Sequence, residues 1–151
     1  MQLINIYILG GGVSGAIFKK AGFKRLSVAC EEIGFCEVGN VVSTDAFDLN
    51  AKRIIHAVGP KYEYDRNPER LLNSVYTRCF ELCSKEGLNS IAFPSISTGT
   101  YRFPLNIAIP IALGQMIKHS NTIGDIYVYC YDEQTYNLYL EYFEKIKNYR
   151  R

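Results

Sequence analysis

The 151-residue chain has no tryptophan and only two histidines, and none of its five cysteines forms a CxxC pair. Without clustered histidine and cysteine ligands, a zinc site is not expected. The odd number of cysteines is typical of reduced, mostly buried thiols, so we expect a cytoplasmic protein. The lysine-bearing phosphate loop GxxxxGK[ST] is also absent, which argues against the common nucleoside-triphosphate site.

Neither sign of charge dominates, and the net charge is only +2. A balance this close to neutral argues against a nucleic-acid partner. No apolar run approaches the roughly 18 residues that a membrane span needs, and the apolar first eighteen residues lack the basic start of a secretory leader. The length and even composition predict a single domain over residues 1–151 without a membrane partner.

Apolar runs and helical periodicity alternate along the chain. Strands are predicted at 3–9, 39–43, 53–58, 90–94 and 125–131, and helices at 13–29, 67–85, 104–118 and from 132 onward. The run LINIYIL (3–9) is expected to be a central strand covered on both faces. Gly22 is expected to divide the first helix, which would bury Ala16 and Ala21. The alternation predicts an α/β layer fold with a mostly parallel sheet between helices.

Two loops of small residues follow predicted strands. The first contains Gly10, Gly11, Gly12, Val13, Ser14 and Gly15, and the second contains Ser95–Arg102. Because parallel strands end at the same edge of a sheet, the two loops are expected to share one cleft. A glycine-rich turn at a helix start exposes N–H groups that bind phosphates, although glycines that serve only tight packing remain the alternative.

The second loop strengthens the prediction of a nucleotide-like ligand. Ser97, Thr98, Gly99 and Thr100 offer hydroxyl groups and backbone amides, and aromatic rings flank them at Tyr101 and Phe103. Together the loops suit an extended ligand that contains phosphate and a sugar or base.

The segments GGGVSGAIFKKAG, RIIHAVGP and IAFPSISTGTYRFPLNIA, in this order, resemble the macrodomain family, and VYCYDEQTY resembles its last strand and following helix. The resemblance extends from Leu9 through nearly all of the chain. It implies a three-layer α/β/α fold with a mixed, mostly parallel central sheet, here lacking one or two N-terminal strands. It also implies binding of ADP-ribose or ADP-ribosylated protein and, in many members, hydrolysis (Appr-1''-p processing) without a metal or cofactor.

The resemblance also implies roles for individual residues. Gly10–Gly15 would lie along the distal ribose and pyrophosphate, and Ser97–Tyr101 would contact the pyrophosphate from the other side through the amides of Gly99 and Thr100. Phe103 would support that loop. Tyr131 would stack on the adenine, or it is only a half-buried tyrosine at a strand end. His56 is interpreted as a residue of the core or sheet.

Three departures from the family pattern leave catalysis open. The common GGGVDG reads GGGVSG, so Ser14, the candidate catalytic residue, cannot act as a carboxylate base. The family's asparagine would fall on Ile4, and Asn5 is one residue out of register. Glycine is replaced by Arg102 in the second loop, where the guanidinium contacts a phosphate or extends into solvent.

These observations support three hypotheses. The first is a macrodomain that hydrolyses ADP-ribosyl esters, on mono-ADP-ribosylated protein or O-acetyl-ADP-ribose. The second is a reader that binds ADP-ribose without turnover. The third is a degenerate scaffold that forms oligomers through an exposed sheet edge.

Overall fold

The computed structural model describes residues 4–8 and 13–149, in which strands and helices alternate. The strands are β1 (Ile4–Ile8), β2 (Val41–Asp45), β3 (Arg53–Ala57), β4 (Ser90–Pro94) and β5 (Asp125–Cys130), and the helices are α1 (Val13–Ala21), α2 (Phe23–Ile33), α3 (Pro68–Lys85), α4 (Leu105–Ile123) and α5 (Glu133–Tyr149). The predicted α/β fold is confirmed, and the main differences concern strand order and helix ends.

Three of the strands form a parallel sheet in which β5 lies between β1 and β4. Ile126 of β5 is paired with Ile4 on one side and with Ile91 on the other. Ile126, Val128 and Cys130 are fully buried, because alternate side chains of the middle strand point to the same covered face.

The prediction that β1 is a central strand is wrong for the described residues. β1 lies at one end of the three-stranded order, and β5 is the middle strand. Helices α4 and α5 both contact β1, so its apolar composition reflects cover by helices rather than a central position in the sheet.

The strands β2 and β3 form a separate antiparallel pair. Ile54 of β3 is buried with Ala21, Leu26 and Ala46 in a small apolar cluster beneath the first two helices. The strand predicted at 39–43 is displaced to Val41–Asp45, because residues 37–40 form a turn in which the Asn40 N–H donates to the Glu37 carbonyl.

The main core lies between the three-stranded sheet and helices α3, α4 and α5. Helix α3 buries Leu72, Val75, Phe80 and the thiols of Cys79 and Cys83, and the two cysteines share a face as the four-residue spacing predicts. Each large apolar side chain buried here contributes about 1.5–3 kcal/mol. Ile55 and Ala57 of β3 also pack on this core, which joins the two sheets.

Gly22 divides the first helical region into α1 and α2, as predicted. Its φ of 109° lies in a region that other residues rarely adopt. Ala21 and Leu26 on either side are fully buried. Ala16, which was predicted to face inward, is exposed, because helix α1 contacts the small cluster mainly through its last turns.

Helix α4 continues five residues beyond the predicted end at Lys118 and ends at Ile123. The added residues are covered by the core: the His119 ring stacks on Phe80 with centroids 4.6 Å apart, and Ile123 is only 1% exposed. None of the helices in residues 4–8 and 13–149 is long and apolar enough to cross a membrane.

Candidate nucleotide site

The loop after β4 is a folded unit stabilised by its own backbone hydrogen bonds. The Phe103 N–H donates to the Ser97 carbonyl over 2.9 Å, and the Arg102 N–H donates to the Gly99 carbonyl over 3.0 Å. Ser97 and Arg102 have left-handed φ angles of 66° and 57°. Residues other than glycine rarely adopt this conformation, and they concentrate at functional loops.

Two buried phenols fix the base of this loop. The hydroxyl oxygens of Ser95 and Tyr139 are 3.2 Å apart, and the Ile96 N–H donates to the Tyr76 hydroxyl over 3.3 Å. Burial raises the pKa of Tyr139 to about 12 and raises the pKa of Tyr76 well above its usual value. Both phenols are therefore neutral at physiological pH and able to donate and accept hydrogen bonds.

The end of β3 supports the same loop from the side. A Cβ atom on Gly59 would lie 2.7 Å from Ile96 Cγ2 and closer still to Ser97 Oγ, so a larger residue would force these side chains to shift. The Ser97 hydroxyl is buried without a hydrogen-bond partner among the described residues. The Tyr62 N–H donates to the Tyr101 carbonyl over 3.0 Å.

The predicted residues of this loop divide into buried supports and exposed residues. Thr98 and Phe103 are buried, and Thr98 Oγ1 donates to the Ser95 carbonyl over 3.0 Å. The Phe103 ring packs 4.8 Å from the Tyr62 ring, which is consistent with the supporting role predicted for Phe103. Ser97 is half-buried, and the four residues from Gly99 to Arg102 are exposed.

Three consecutive backbone amides of the loop remain available. Within the described residues, the N–H groups of Gly99, Thr100 and Tyr101 donate to no acceptor, whereas those of Thr98, Arg102 and Phe103 are used. A Cβ atom built on Gly99 would meet nothing within 4 Å. Successive exposed N–H groups without acceptors beside open space are donors that an anion can use.

Only part of the first predicted loop can be placed. Gly10, Gly11 and Gly12 lie outside the described residues. Val13 is half-buried, and Ser14 and Gly15 are exposed in the first turn of α1, where helix N–H groups favour an anion. Two cavities lie near the candidate loops. One is lined by Ala16, Lys19, Lys20 and Asp48 and the other by Lys61, Glu63, Tyr64 and residues 100–102, so neither joins Ser14 to the second loop.

Tyr131 directly follows β5, beside the loop that follows β4. Tyr131 is 45% exposed, so part of its surface is accessible to a ligand. The next residue, Asp132, caps helix α5 by accepting the Thr135 N–H over 2.8 Å. Hydrogen bonds from the backbone and side chain of Thr135 lower the pKa of Asp132, so this carboxylate is already used in the cap.

Two other polar residues noted in the sequence, Asn5 and His56, have structural partners. The Asn5 side-chain amide donates to the Ile126 carbonyl over 3.2 Å. The His56 Nε2 atom lies 2.9 Å from Thr44 Oγ1 on the β2–β3 pair, and burial lowers the pKa of this imidazole. His56 is thus the sheet residue that the sequence predicts. The described residues include no group of three potential metal ligands, and their five thiols form no disulfide.

The sequence did not single out Gly59, Tyr62, Tyr76 or Tyr139 as parts of this site. The signal for Gly59 was present in RIIHAVGP, which ends at the glycine and proline that approach the loop. The two buried tyrosines gave no local signal, because both lie on helices where their spacing predicts only a core position.

Comparison with known proteins agrees with this architecture. The family model described as "Macro domain" matches residues 4–112. O-acetyl-ADP-ribose deacetylase 2 of Pantoea vagans is 42% identical over 141 residues, which cover 87% of this chain and 81% of that protein.

Two solved structures extend the comparison. The Oceanobacillus iheyensis macrodomain with ADP is 33% identical with a TM-score of 0.83, covering 96% of this chain and 84% of that one. The Trypanosoma brucei macrodomain in complex with ADP-ribose is 30% identical with a TM-score of 0.77, covering 94% of this chain and 63% of that one. The matched sequence, the fold and the loop after β4 together show that this chain belongs to the macrodomain family.

Proposed function

We propose that the chain binds ADP-ribose, with the pyrophosphate against the loop of residues 95–103 and the adenine against Tyr131. The observation that carries the proposal is the run of available N–H groups at Gly99, Thr100 and Tyr101. These are backbone donors of the kind that a diphosphate requires. The relatives solved with ADP and with ADP-ribose support this choice of ligand.

A rigid loop favours this binding. Because the buried hydroxyls of Tyr76 and Tyr139 fix the loop base, little conformational entropy is lost when the ligand binds. The exposed glycine at position 99 leaves space for a phosphate to approach the backbone.

We further propose that the chain hydrolyses ADP-ribosyl esters. The deacetylase name of the Pantoea relative supports this proposal. A water molecule would attack the acyl carbon, releasing a carboxylate and the free ribose hydroxyl. Ser14, exposed at the start of α1, would orient this water or a ribose hydroxyl by hydrogen bonding. It cannot remove a proton as a carboxylate would, so the reaction would depend on the phosphates and ribose of the substrate to position the water.

A specific observation also favours binding without turnover. The first turn of α1 contains no acidic residue, so the described part of the site lacks a general base near Ser14. A reader of ADP-ribose is therefore the second candidate function. The oligomer predicted from an exposed sheet edge stays a prediction, which light scattering of the purified protein would test.

Calorimetry with ADP-ribose, ADP and AMP tests the binding proposal. ADP-ribose and ADP should bind more tightly than AMP, because only they carry a diphosphate. Gly99→Val should fold normally, since its Cβ points to open space, but should lose most of the affinity. Gly114→Val is the matched control, because a Cβ there also meets nothing within 4 Å, on helix α4. No heat from millimolar ADP-ribose would refute the proposal.

Incubation with O-acetyl-ADP-ribose and with mono-ADP-ribosylated protein separates hydrolase from reader. Release of acetate or of free ADP-ribose above the uncatalysed rate supports the hydrolase. Tight binding with no product at high protein concentration supports the reader.

A further inference from the structure

A second cavity lies beside the loop after β4. It has a volume of about 270 Å³ and is lined by Lys61, Glu63, Tyr64, Thr100, Tyr101 and Arg102; we call it the Lys61 pocket. Two cations and one carboxylate among these residues give it a net charge of +1. Lys61 and Tyr64 have no role in the ADP-ribose site proposed above.

The Lys61 ammonium lies between two aromatic rings. Its Nζ atom is 5.9 Å from the ring centroid of Tyr64 and 5.5 Å from that of Tyr101, both within cation–π range. Among residues 4–8 and 13–149, no carboxylate lies within ion-pair distance of Lys61 or Arg102. The nearby Asp65 carboxylate accepts the backbone N–H of Lys61 over 2.8 Å, which fixes the chain that presents the ammonium. Both cations are therefore available to an external anion.

Arg102 occupies its position at a conformational cost. Its φ of 57° is left-handed, and a residue with a Cβ pays roughly 1–2 kcal/mol there compared with the right-handed region. Strain of this kind persists at positions where the side chain or the loop shape has a use. Arg102 lines the Lys61 pocket from a position of the loop where glycine would be easier to accommodate.

The position of the pocket indicates which part of a ligand reaches it. Tyr131 follows β5, and the loop of residues 95–103 follows the neighbouring strand β4. The Lys61 pocket is formed where this loop meets the segment after β3, through the hydrogen bond between Tyr62 and Tyr101. It therefore borders the proposed phosphate loop at residues 100–102, where that loop meets the segment after β3. This step rests on the proposed function: with the pyrophosphate against the amides of Thr100 and Tyr101, two residues that also line the pocket, a polypeptide attached to the ligand lies close enough to reach it.

We propose that the Lys61 pocket binds an acidic side chain of the polypeptide that carries the ADP-ribose. Two free cations attract a carboxylate, and the flanking rings of Tyr64 and Tyr101 pack against the adjoining peptide. A nucleic acid would need a longer basic surface than this single pocket in a chain of net charge +2. The protein would thus distinguish an ADP-ribosylated acidic segment from O-acetyl-ADP-ribose, which has nothing to enter the pocket.

The test compares two ADP-ribosylated peptides joined through a linkage that water does not cleave. One has glutamates on both sides of the modified residue, and the other has glutamines at the same positions. Calorimetry should show that the intact protein binds the glutamate peptide about fivefold more tightly, the range of an exposed ion pair. The preference should shrink as ionic strength rises, because salt screens exposed charges.

Variants then assign the preference to the pocket. Lys61→Gln, which removes the charge but keeps a polar side chain, should abolish the preference while leaving the affinity for free ADP-ribose unchanged. Lys52→Gln, the same change at an exposed lysine before the start of β3, should retain it.

Each outcome decides the proposal. If the wild type binds ADP-ribose but does not distinguish the peptides, or if Lys61→Gln keeps the preference, the pocket has no such role. If the wild type binds neither ADP-ribose nor the peptides, the proposed function fails, and this inference fails with it.

Discussion

Gly59 and Ser97 are in such close contact that any side chain larger than a hydrogen atom at position 59 would force its neighbours to move. A Cβ at position 59 would overlap Ser97 Oγ and lie 2.7 Å from Ile96 Cγ2. The end of β3 thereby fixes the position of the loop after β4, so the strand pair β2–β3 contributes to the site without touching a ligand.

Gly59→Ala should therefore shift the loop after β4 and reduce both stability and ligand affinity. We expect the free energy of unfolding to fall by about 1–3 kcal/mol, the usual cost of overpacking, with weaker binding of ADP-ribose. Urea unfolding and calorimetry measure the two effects. Gly114→Ala, in open space on helix α4, should instead be neutral or stabilise the protein by up to about 1 kcal/mol. Equal behaviour of the two variants would contradict the contact.

Tyr139 should make the protein lose stability at high pH. Burial raises the pKa of Tyr139 from its ordinary value of 10 to about 12 in the folded state. Between these values the folded protein retains a proton that the unfolded chain releases. This contribution of Tyr139 to the free energy of unfolding, roughly 2–3 kcal/mol, is fully present below pH 10 and is lost as the pH rises toward 12.

Tyr139→Phe tests this assignment. Its free energy of unfolding should be about 1 kcal/mol lower at pH 7, because the hydrogen bond to Ser95 is lost, and should fall less steeply between pH 10 and 12. The solvent-exposed Tyr149 provides the control, since Tyr149→Phe should retain the wild-type slope. A Tyr139→Phe slope equal to that of the wild type would show that other groups cause the loss.

Arg102→Gly should relieve backbone strain. Because φ is 57° at this residue, we expect the free energy of unfolding to rise by about 1 kcal/mol. Arg102→Lys retains the strain and the charge and should leave stability unchanged. ADP-ribose calorimetry on both variants decides between the two interpretations of the side chain: a severalfold loss in Arg102→Gly alone indicates phosphate contact, and equal affinities indicate exposure to solvent.

Ser14→Asp should increase the hydrolysis of O-acetyl-ADP-ribose if water is activated near the start of α1. A carboxylate acts as a base where a hydroxyl cannot, an effect of about 100-fold or more at well-placed groups. Ser14→Asn, of similar size and without charge, is the control. Product formation measured by chromatography should rise only in Ser14→Asp. A rate unchanged by both substitutions would place the reacting water elsewhere.

Several elements were predictable because their signals are local. The strand Ser90–Pro94 matches its prediction residue for residue, since a short apolar run leads directly into a loop of small residues. The break at Gly22 was equally local, because glycine tolerates the φ of 109° that separates α1 from α2. The supporting position of Phe103 followed from the family resemblance and agrees with its burial and its contact with Tyr62.

Features that depend on distant partners were not predictable. The apolar composition of β1 did not reveal whether neighbouring strands or helices cover this strand. In the structure β1 lies at the end of the described sheet. The prediction for Ala16 failed for a related reason: helical periodicity identifies a face but not how far along the helix that face is covered. The end of α4 depended on His119 stacking on Phe80, a contact between two helices.

The sequence by itself determined the alternation of strands and helices, the family, and the small residues from Ser97 to Thr100, because each follows from the chemistry of neighbouring residues. Only the tertiary structure decided that Gly59, Tyr76 and Tyr139 stabilise that loop, that three of its amides are available, and that Lys61 lies beside Arg102. These relationships join residues far apart in the chain, and their geometry arises only when the helices and strands pack around a common core.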